Sequence, residues 1–194
     1  MPAPKEHIMQ HVIITEPASP HYEEALAFAF AHYLERHNCS LEVRPDFLAI
    51  AYKENTIVGT LGLVTTRDEP YFFEQSEPKG AAAILLCGDP RSTLGELTRF
   101  TLREGTSPRD ALERGKLLTA CLCAYVYARG IRHIGFVGKR SFCSILERLA
   151  ITYAILGTPT LEDIPRELLG TYPAQHNLYA IGFSLDHAPS TLHA

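Results

Sequence analysis

In the segment Gly95-Glu96-Leu97-Thr98-Arg99-Phe100, a carboxylate, a hydroxyl and a guanidinium fall within one short run whose other members are glycine or apolar. Such groups together can take a proton, orient a polar substrate and grip an anion. On a central strand Glu96 is partly desolvated, which makes a carboxylate more basic than one on the surface. Glu96 is therefore a candidate general base with the Thr98 hydroxyl beside it. Its structural alternative is a glutamate paired with an arginine. Strict alternation puts Glu96 and Thr98 on one face and Arg99 on the other, so Glu96 and Arg99 share a pocket only where the strand bulges.

Other patterns promise less. His7 and His11 have the spacing of a metal pair on a helix, but no Glu follows His7 and Val12-Ile13-Ile14 reads as strand, so no metal is expected. Gly130, Gly135, Gly138 and Lys139 suggest a phosphate loop, yet Phe136 stands where that loop needs its lysine. Gly-x-Ser-x-Gly is absent, and Ser141 is better placed to cap a helix than to attack an ester. The five cysteines form an odd set without a Cys-x-x-Cys pair, the pattern of reduced thiols. Cys121 and Cys143 are nucleophiles only in principle, and the mid-helix position of Cys121 predicts a buried, inert thiol.

The chain has 194 residues, 46% hydrophobic and 21% charged, enough to remove roughly 70% of its unfolded surface from water, which excludes disorder. Its 18 Lys plus Arg against 22 Asp plus Glu give a formal charge of −4. No general grip on nucleic acid is expected, and an anionic partner must meet a local basic patch. The longest apolar run, residues 120–128, is less than half of a membrane span, and the opening MPAPKEHIMQHV lacks a signal-peptide core, so the expectation is a soluble, cytoplasmic protein. No linker or repeat divides the sequence, which reads as a single domain over residues 1–194.

Residues 12–15 read as a strand, and Ser19-Pro20 opens a helix that stops near Asn38. Residues 47–52 and 56–65 form a hairpin around Lys53-Glu54-Asn55. Residues 70–74 suit a short helix, and residues 81–86 suit helix or strand. A strand over 93–102 precedes a long helix started by Ser107-Pro108-Arg109-Asp110, with an inner stripe of Leu117, Cys121, Ala124, Tyr125 and Ala128 and a stop at Arg129-Gly130. Then come a strand over 131–137, a helix capped by Ser141 and carrying Phe142, Ile145, Leu146 and Leu149, and strands over 153–156 and 178–185. The order β-α-β-β-(α)-β-α-β-α-β-β describes a mixed α/β sheet with helices on both faces. It is the element order of the GNAT acyltransferases.

The hexapeptide 95–100 resembles the Glu-x-Ser-Arg-Phe strand of the acyl-homoserine-lactone synthases and the N-acyl amino acid synthases, with Thr98 keeping the usual hydroxyl. Val58-Gly59-Thr60-Leu61-Gly62-Leu63-Val64, running toward Thr65-Thr66 and Pro70, is similar to another strand of that group. Phe142 to Leu149 with Gly157-Thr158-Pro159 looks like its later helix and loop, and Tyr71-Phe72-Phe73-Glu74-Gln75 is similar to the thermostable-haemolysin-like relatives. The resemblance spans roughly residues 45–183. Two departures stand out: there is no tryptophan, and the acidic Asp-x-x-Asp segment by which lactone synthases bind S-adenosylmethionine has no clear counterpart.

The resemblance implies a GNAT-like mixed sheet in which two central parallel strands splay. It further implies an N-acyltransferase that moves a fatty acyl group from acyl carrier protein, in preference to acyl-coenzyme A, to the amine of an amino-acid-like acceptor. No resident cofactor is expected; acyl-phosphopantetheine is the donor. An α-amino group with a pKa of about 8 is mostly protonated at neutral pH, so Glu96, aided by Thr98, would take its proton. A bulged strand would turn a backbone N–H toward the thioester oxygen. Arg99 either binds the acceptor's carboxylate or holds the strand crossing. Leu97, Phe100, Phe136 and Phe142 would line the acyl chain, with core packing the other reading for Phe100. Thr101 and Val137 would pair with pantetheine amides. Arg103-Glu104-Gly105-Thr106-Ser107-Pro108 departs from the coenzyme A pyrophosphate motif, which favours the carrier protein. Lys139 and Arg140, with Arg132, Arg109, Arg114 and Lys116, would form its cationic dock or else be solvated helix ends. Two further readings are a lactone synthase consuming S-adenosylmethionine and a non-catalytic domain that binds an acyl ligand or a partner.

Overall fold

Two residues with positive φ, Glu54 at 52° and Asn55 at 61°, turn the chain between strand β2 (Phe47–Lys53) and strand β3 (Thr56–Val64). A two-residue loop with both residues left-handed matches the twist of an antiparallel pair, and asparagine tolerates that conformation. Strand β1 (Gln10–Thr15) adds to the outer edge of β2. The computed structural model describes residues 10–40, 43–65, 70–77, 79–162, 170–171 and 177–189.

Helix α1 (Pro20–His37) begins with proline at its first turn and ends at Asn38, whose left-handed backbone lets its N–H bond back to the Leu34 carbonyl. After β3 come a 3₁₀ turn (Phe72–Glu74), the two-residue strand β4 (Ser76–Glu77) and helix α2 (Ala81–Leu86). The sequence left residues 81–86 open between helix and strand; they are helical.

Strand β5 (Leu94–Leu102) leads to helix α3 (Pro108–Tyr127), where the Ser107 Oγ accepts from the Asp110 N–H at 3.1 Å and Pro108 sets the first turn. Strand β6 (His133–Lys139), a 3₁₀ turn (Arg140–Phe142), helix α4 (Cys143–Arg148) and strands β7 (Tyr153–Pro159) and β8 (Leu178–Ser184) complete the order.

One mixed sheet of eight strands runs in the order β1-β2-β3-β5-β6-β8-β7-β4. Only β5 and β6 pair in parallel among the described residues. The larger core, with Leu118, Leu122 and Val126 of α3 and Ile145 and Leu146 of α4, covers one face of the sheet. Two smaller clusters cover the other, one around Tyr22, Ala25 and Leu26 of α1 and one around Phe73 and Leu85 of α2. The fold is therefore the expected mixed α/β sheet with helices on both faces.

Several local expectations need correction. The buried stripe of α3 is Arg114, Gly115, Leu118, Thr119, Leu122, Cys123 and Val126, one position along from the expected Leu117, Cys121, Ala124, Tyr125 and Ala128, which are half-buried or exposed. Periodicity gives a stripe but not its phase when both flanking residues are apolar. Here phase follows from Gly115, where any Cβ would overlap the Ile145 side chain of α4. Cys121 is accordingly half-buried. Ser141 does not cap α4: it sits exposed inside the 3₁₀ turn, and Phe142 occupies the cap position with helical backbone. Gly157-Thr158-Pro159, expected as loop, extends β7, where Thr158 and Pro159 pair with β4.

Candidate active site

β5 and β6 pair at only three registers, Leu94↔His133, Gly95↔Ile134 and Glu96↔Gly135. Beyond Glu96 each strand continues against its other neighbour, β5 along β3 to Leu102 and β6 along β8 to Lys139. The two strands therefore part into a wedge immediately after Glu96, which leaves their facing backbone edges without each other's hydrogen bonds.

At the opening β5 bulges. Its register against β3 shifts between Thr60↔Thr101 and Gly62↔Thr98, so that Arg99 and Phe100 together stand opposite Leu61. Arg99 takes the left-handed conformation at φ 57°, and its carbonyl accepts from the Thr60 hydroxyl at 3.0 Å. A non-glycine residue there carries strain that the surrounding contacts must offset. The bulge breaks alternation: Leu97 and Phe100 face the α3 core, while Arg99 joins Glu96 and Thr98 on the side of α1 and the 3₁₀ turn 72–74.

Glu96 is only 6% exposed, and its Oε1 accepts from the Phe73 N–H at 2.9 Å. A charge-assisted bond of this kind favours the ionised carboxylate and fixes its direction. Phe73 is fully buried over Gly135 of β6, where any added Cβ would overlap the ring. The 3₁₀ turn that supplies this donor is itself held. Glu74 Oε2 accepts from the Tyr71 N–H at 2.6 Å, and both Glu74 oxygens take Arg91 at 2.8 and 2.7 Å. The Tyr71 hydroxyl donates to the Thr65 carbonyl at 2.8 Å, and burial pushes this phenol up to about 12.

Arg99 is buried, and desolvation lowers its pKa. One terminal nitrogen donates to the Thr98 hydroxyl oxygen at 3.1 Å, the other to the Val43 carbonyl, and the guanidinium lies 5.8 Å from the Phe30 ring centre. These contacts tie β5 to the segment between α1 and β2. Two buried polar atoms in this half of β5, Arg99 Nε and Thr101 Oγ1, have no hydrogen-bond partner among the described residues. Buried polar groups without partners are uncommon and mark places where a ligand can complete the set. The Tyr33 hydroxyl of α1 donates to the Phe100 carbonyl at 3.3 Å and braces the same stretch.

On the opposite face Phe142 meets Phe100 edge-on at 5.1 Å and Phe136 at 4.9 Å between ring centres. Thus Leu97, Phe100, Phe136 and Phe142 do come together, on the apolar side of the opening. Val137 packs with the cluster around Phe73. Lys139 ends β6 half-buried, its pKa lowered first by burial and then by Arg36 of α1, while Arg140 is exposed just beyond it.

The expected cationic surface breaks up. Arg114 is buried on the inner stripe of α3 with one nitrogen on the Thr106 hydroxyl, so it cannot join a dock. Arg132 precedes β6 and pairs with Asp186, whereas Arg140 follows β6, which at 3.3 Å per residue is roughly 25 Å away. Lys116 pairs with Glu113. Lys139 and Arg140 stand at the end of β6 beyond the parting of the strands, and Arg109 is exposed in the first turn of α3, which follows β5. His11 lies in β1, and His7 lies outside the described residues.

Sequence reasoning did not find the role of Phe73, the donor to Glu96, 23 residues away along the chain. Glu74 closes the turn back onto the Tyr71 N–H, and a glutamate at the third position of that turn was the available signal.

No family model matches the chain, and no curated protein matches it by sequence. Solved structures do. The acyl-homoserine-lactone synthase LasI superimposes with a TM-score of 0.62 at 13% identity over 96% of this chain and 94% of its own. BjaI, a CoA-dependent acyl-homoserine lactone synthase with SAM and isopentyl-CoA, gives 0.62 at 16% identity over 95% and 86%. FeeM, an N-acyl amino acid synthase from uncultured soil microbes, gives 0.50 at 13% identity over 91% of each chain. Such identities speak for architecture. The chain has the GNAT-like fold shared by the acyl-homoserine-lactone and N-acyl amino acid synthases, as the hexapeptide on β5 led one to expect.

Proposed function

We propose that this protein is an N-acyltransferase that passes an acyl group from a phosphopantetheine thioester to the amine of a small, amino-acid-like acceptor. The observation that carries the reading is the parting of β5 and β6 directly after Glu96, beside the bulge that brings Glu96, Thr98 and Arg99 to one face. A pantetheine arm entering the wedge completes the unpaired strand edges with its amides, the mode in which extended ligands add to sheets. Edge N–H groups of β5 near the bulge hold the oxygen of the tetrahedral intermediate. The acceptor amine attacks the thioester carbon, its proton goes to Glu96 directly or through water, and the C–S bond breaks to release pantetheine as a thiolate, which takes a proton back from Glu96 or from water. Arg99 Nε, a buried donor without a partner, offers the acceptor's carboxylate a contact, and Thr98 links that guanidinium to the reacting centre.

A carrier protein is the favoured donor. At the start of α3 Pro108 has no N–H, the Asp110 N–H is taken by the Ser107 hydroxyl, and the Ala111 N–H by the Ser107 carbonyl. That leaves little of the donor set with which a helix start cradles a pyrophosphate. Lys139, Arg140 and Arg109 would meet the acidic carrier.

The test is to incubate the full chain with acyl carrier protein or coenzyme A thioesters and a panel of amino acids, reading free thiol and product mass. Release of carrier thiol with formation of an N-acyl amino acid supports the reading. Lactone formation from S-adenosylmethionine replaces the acceptor assignment, and absence of thiol release with every amine replaces the enzyme with a binding domain.

A further inference from the structure

We infer that the acyl group handled in the wedge is short, about four carbons or fewer, because Phe142 closes the apolar side of the opening. This rests on the acyl-transfer reading and names the donor class of that same site.

A thioester carbonyl beside Glu96, Thr98 and Arg99 must send its hydrocarbon tail away from those polar groups, since burying apolar chain against them forfeits their solvation. The way open to it is through the wedge toward the face where Leu97, Phe100, Phe136 and Phe142 lie. Phe100 comes from the open half of β5 and Phe136 from the open half of β6, so a tail passing between the strands must pass between these rings. A polymethylene chain in contact with a ring on each side needs about 8 Å between ring centres, twice a carbon–carbon contact distance. Phe142 sits edge-on to both, at 5.1 Å from Phe100 and 4.9 Å from Phe136, so neither of these ring pairs leaves the spacing a chain between them needs.

The closure has no slack behind it. Phe142 is 8% exposed and Phe136 4%. Gly115 of α3 brings that helix so near that a Cβ there would overlap Ile145 and lie 3.4 Å from the Phe100 ring. Withdrawing Phe142 would therefore displace α4, whose first turn follows it directly. Phe100 is only half-buried, and its reachable edge is the surface on which a short acyl group would end.

The experiment measures binding of acetyl-, butyryl-, octanoyl- and dodecanoyl-pantetheine to the full chain by calorimetry. Acetyl and butyryl forms are expected to bind, with the octanoyl and dodecanoyl forms at least tenfold weaker. Phe142→Ala is expected to raise the ratio of octanoyl to acetyl affinity at least tenfold. Phe142→Leu, which keeps an apolar side chain for packing should the alanine variant fold poorly, is expected to move in the same direction by a smaller factor. Dodecanoyl binding to the wild type as tight as butyryl, or a length profile unchanged in the Phe142 variants, overturns the inference while leaving acyl transfer standing. Binding of no acyl-pantetheine at any length overturns this inference, and the transfer reading falls with it if acyl carrier protein thioesters release no thiol either.

Discussion

The β5–β6 pair has a closed half and an open half, built from the same two strands. In the closed half, Leu94 to Glu96 against His133 to Gly135, the backbones pair and Phe73 seals the α2 side over Gly135. In the open half, from Thr98 on β5 and Phe136 on β6, the backbones separate; among the described residues Arg99 Nε and Thr101 Oγ1 find no partner there, and His133 Nδ1 finds none in the closed half. The contrast shows how one pair serves both stability and chemistry. Backbone hydrogen bonds are shared between the strands where they meet and are left open to another partner where they part.

The comparison can be broken from the closed side first. Phe73→Ala removes a fully buried ring and should cost about 3–5 kcal/mol by chemical denaturation. A loss below about 1 kcal/mol would mean that the ring does not hold the closed half. Gly135→Ala, whose methyl meets the same ring, should cost about 1–3 kcal/mol through overpacking. Combining it with Phe73→Leu should restore part of that loss, and a double-mutant cycle without coupling would contradict the contact.

Smaller effects come from the open side. Arg99→Lys gives up the forked contacts to Thr98 and Val43 and should cost about 1.5 kcal/mol in the same denaturation measurement, because a single ammonium cannot serve both acceptors in that geometry. Thiol labelling of the native protein should separate, by rate, the surroundings of Arg99 on the open side from the core under α3. Exposed Cys87 should react first. Cys39, raised by burial but pulled back by Arg99, should follow, and Cys123, pushed up to about 12 by burial alone, should react last. Equal rates for Cys39 and Cys123 would remove the electrostatic difference between the surroundings of Arg99 and the α3 core.

Much of this was legible along the chain because its signals are local. Ser107-Pro108-Asp110 marks the start of α3, Glu54-Asn55 marks the hairpin, and the hexapeptide on β5 marks the strand that carries Glu96 and Arg99. What escaped was set by partners distant in sequence. The phase of α3 follows from Ile145 against Gly115, and the buried place of Arg114 follows from that phase. The cationic dock scattered because charges near in sequence at the two ends of β6 lie far apart in space. Phe73 reaches Glu96 only through the folded turn 72–74, and Phe142 joins Phe100 to Phe136 only once α4 has packed.

Glu96 lies at the boundary between the two halves, held by one and facing the other's chemistry, so it gives the most direct test. Glu96→Gln keeps an oxygen for the Phe73 N–H and should fold with a melting temperature near that of the wild type. The initial rate of acyl transfer from the thioester to the amine should nonetheless fall by about 10²–10⁴, the usual contribution of a positioned general base. A well-folded Glu96→Gln protein transferring at a rate within about twofold of the wild type would contradict the account.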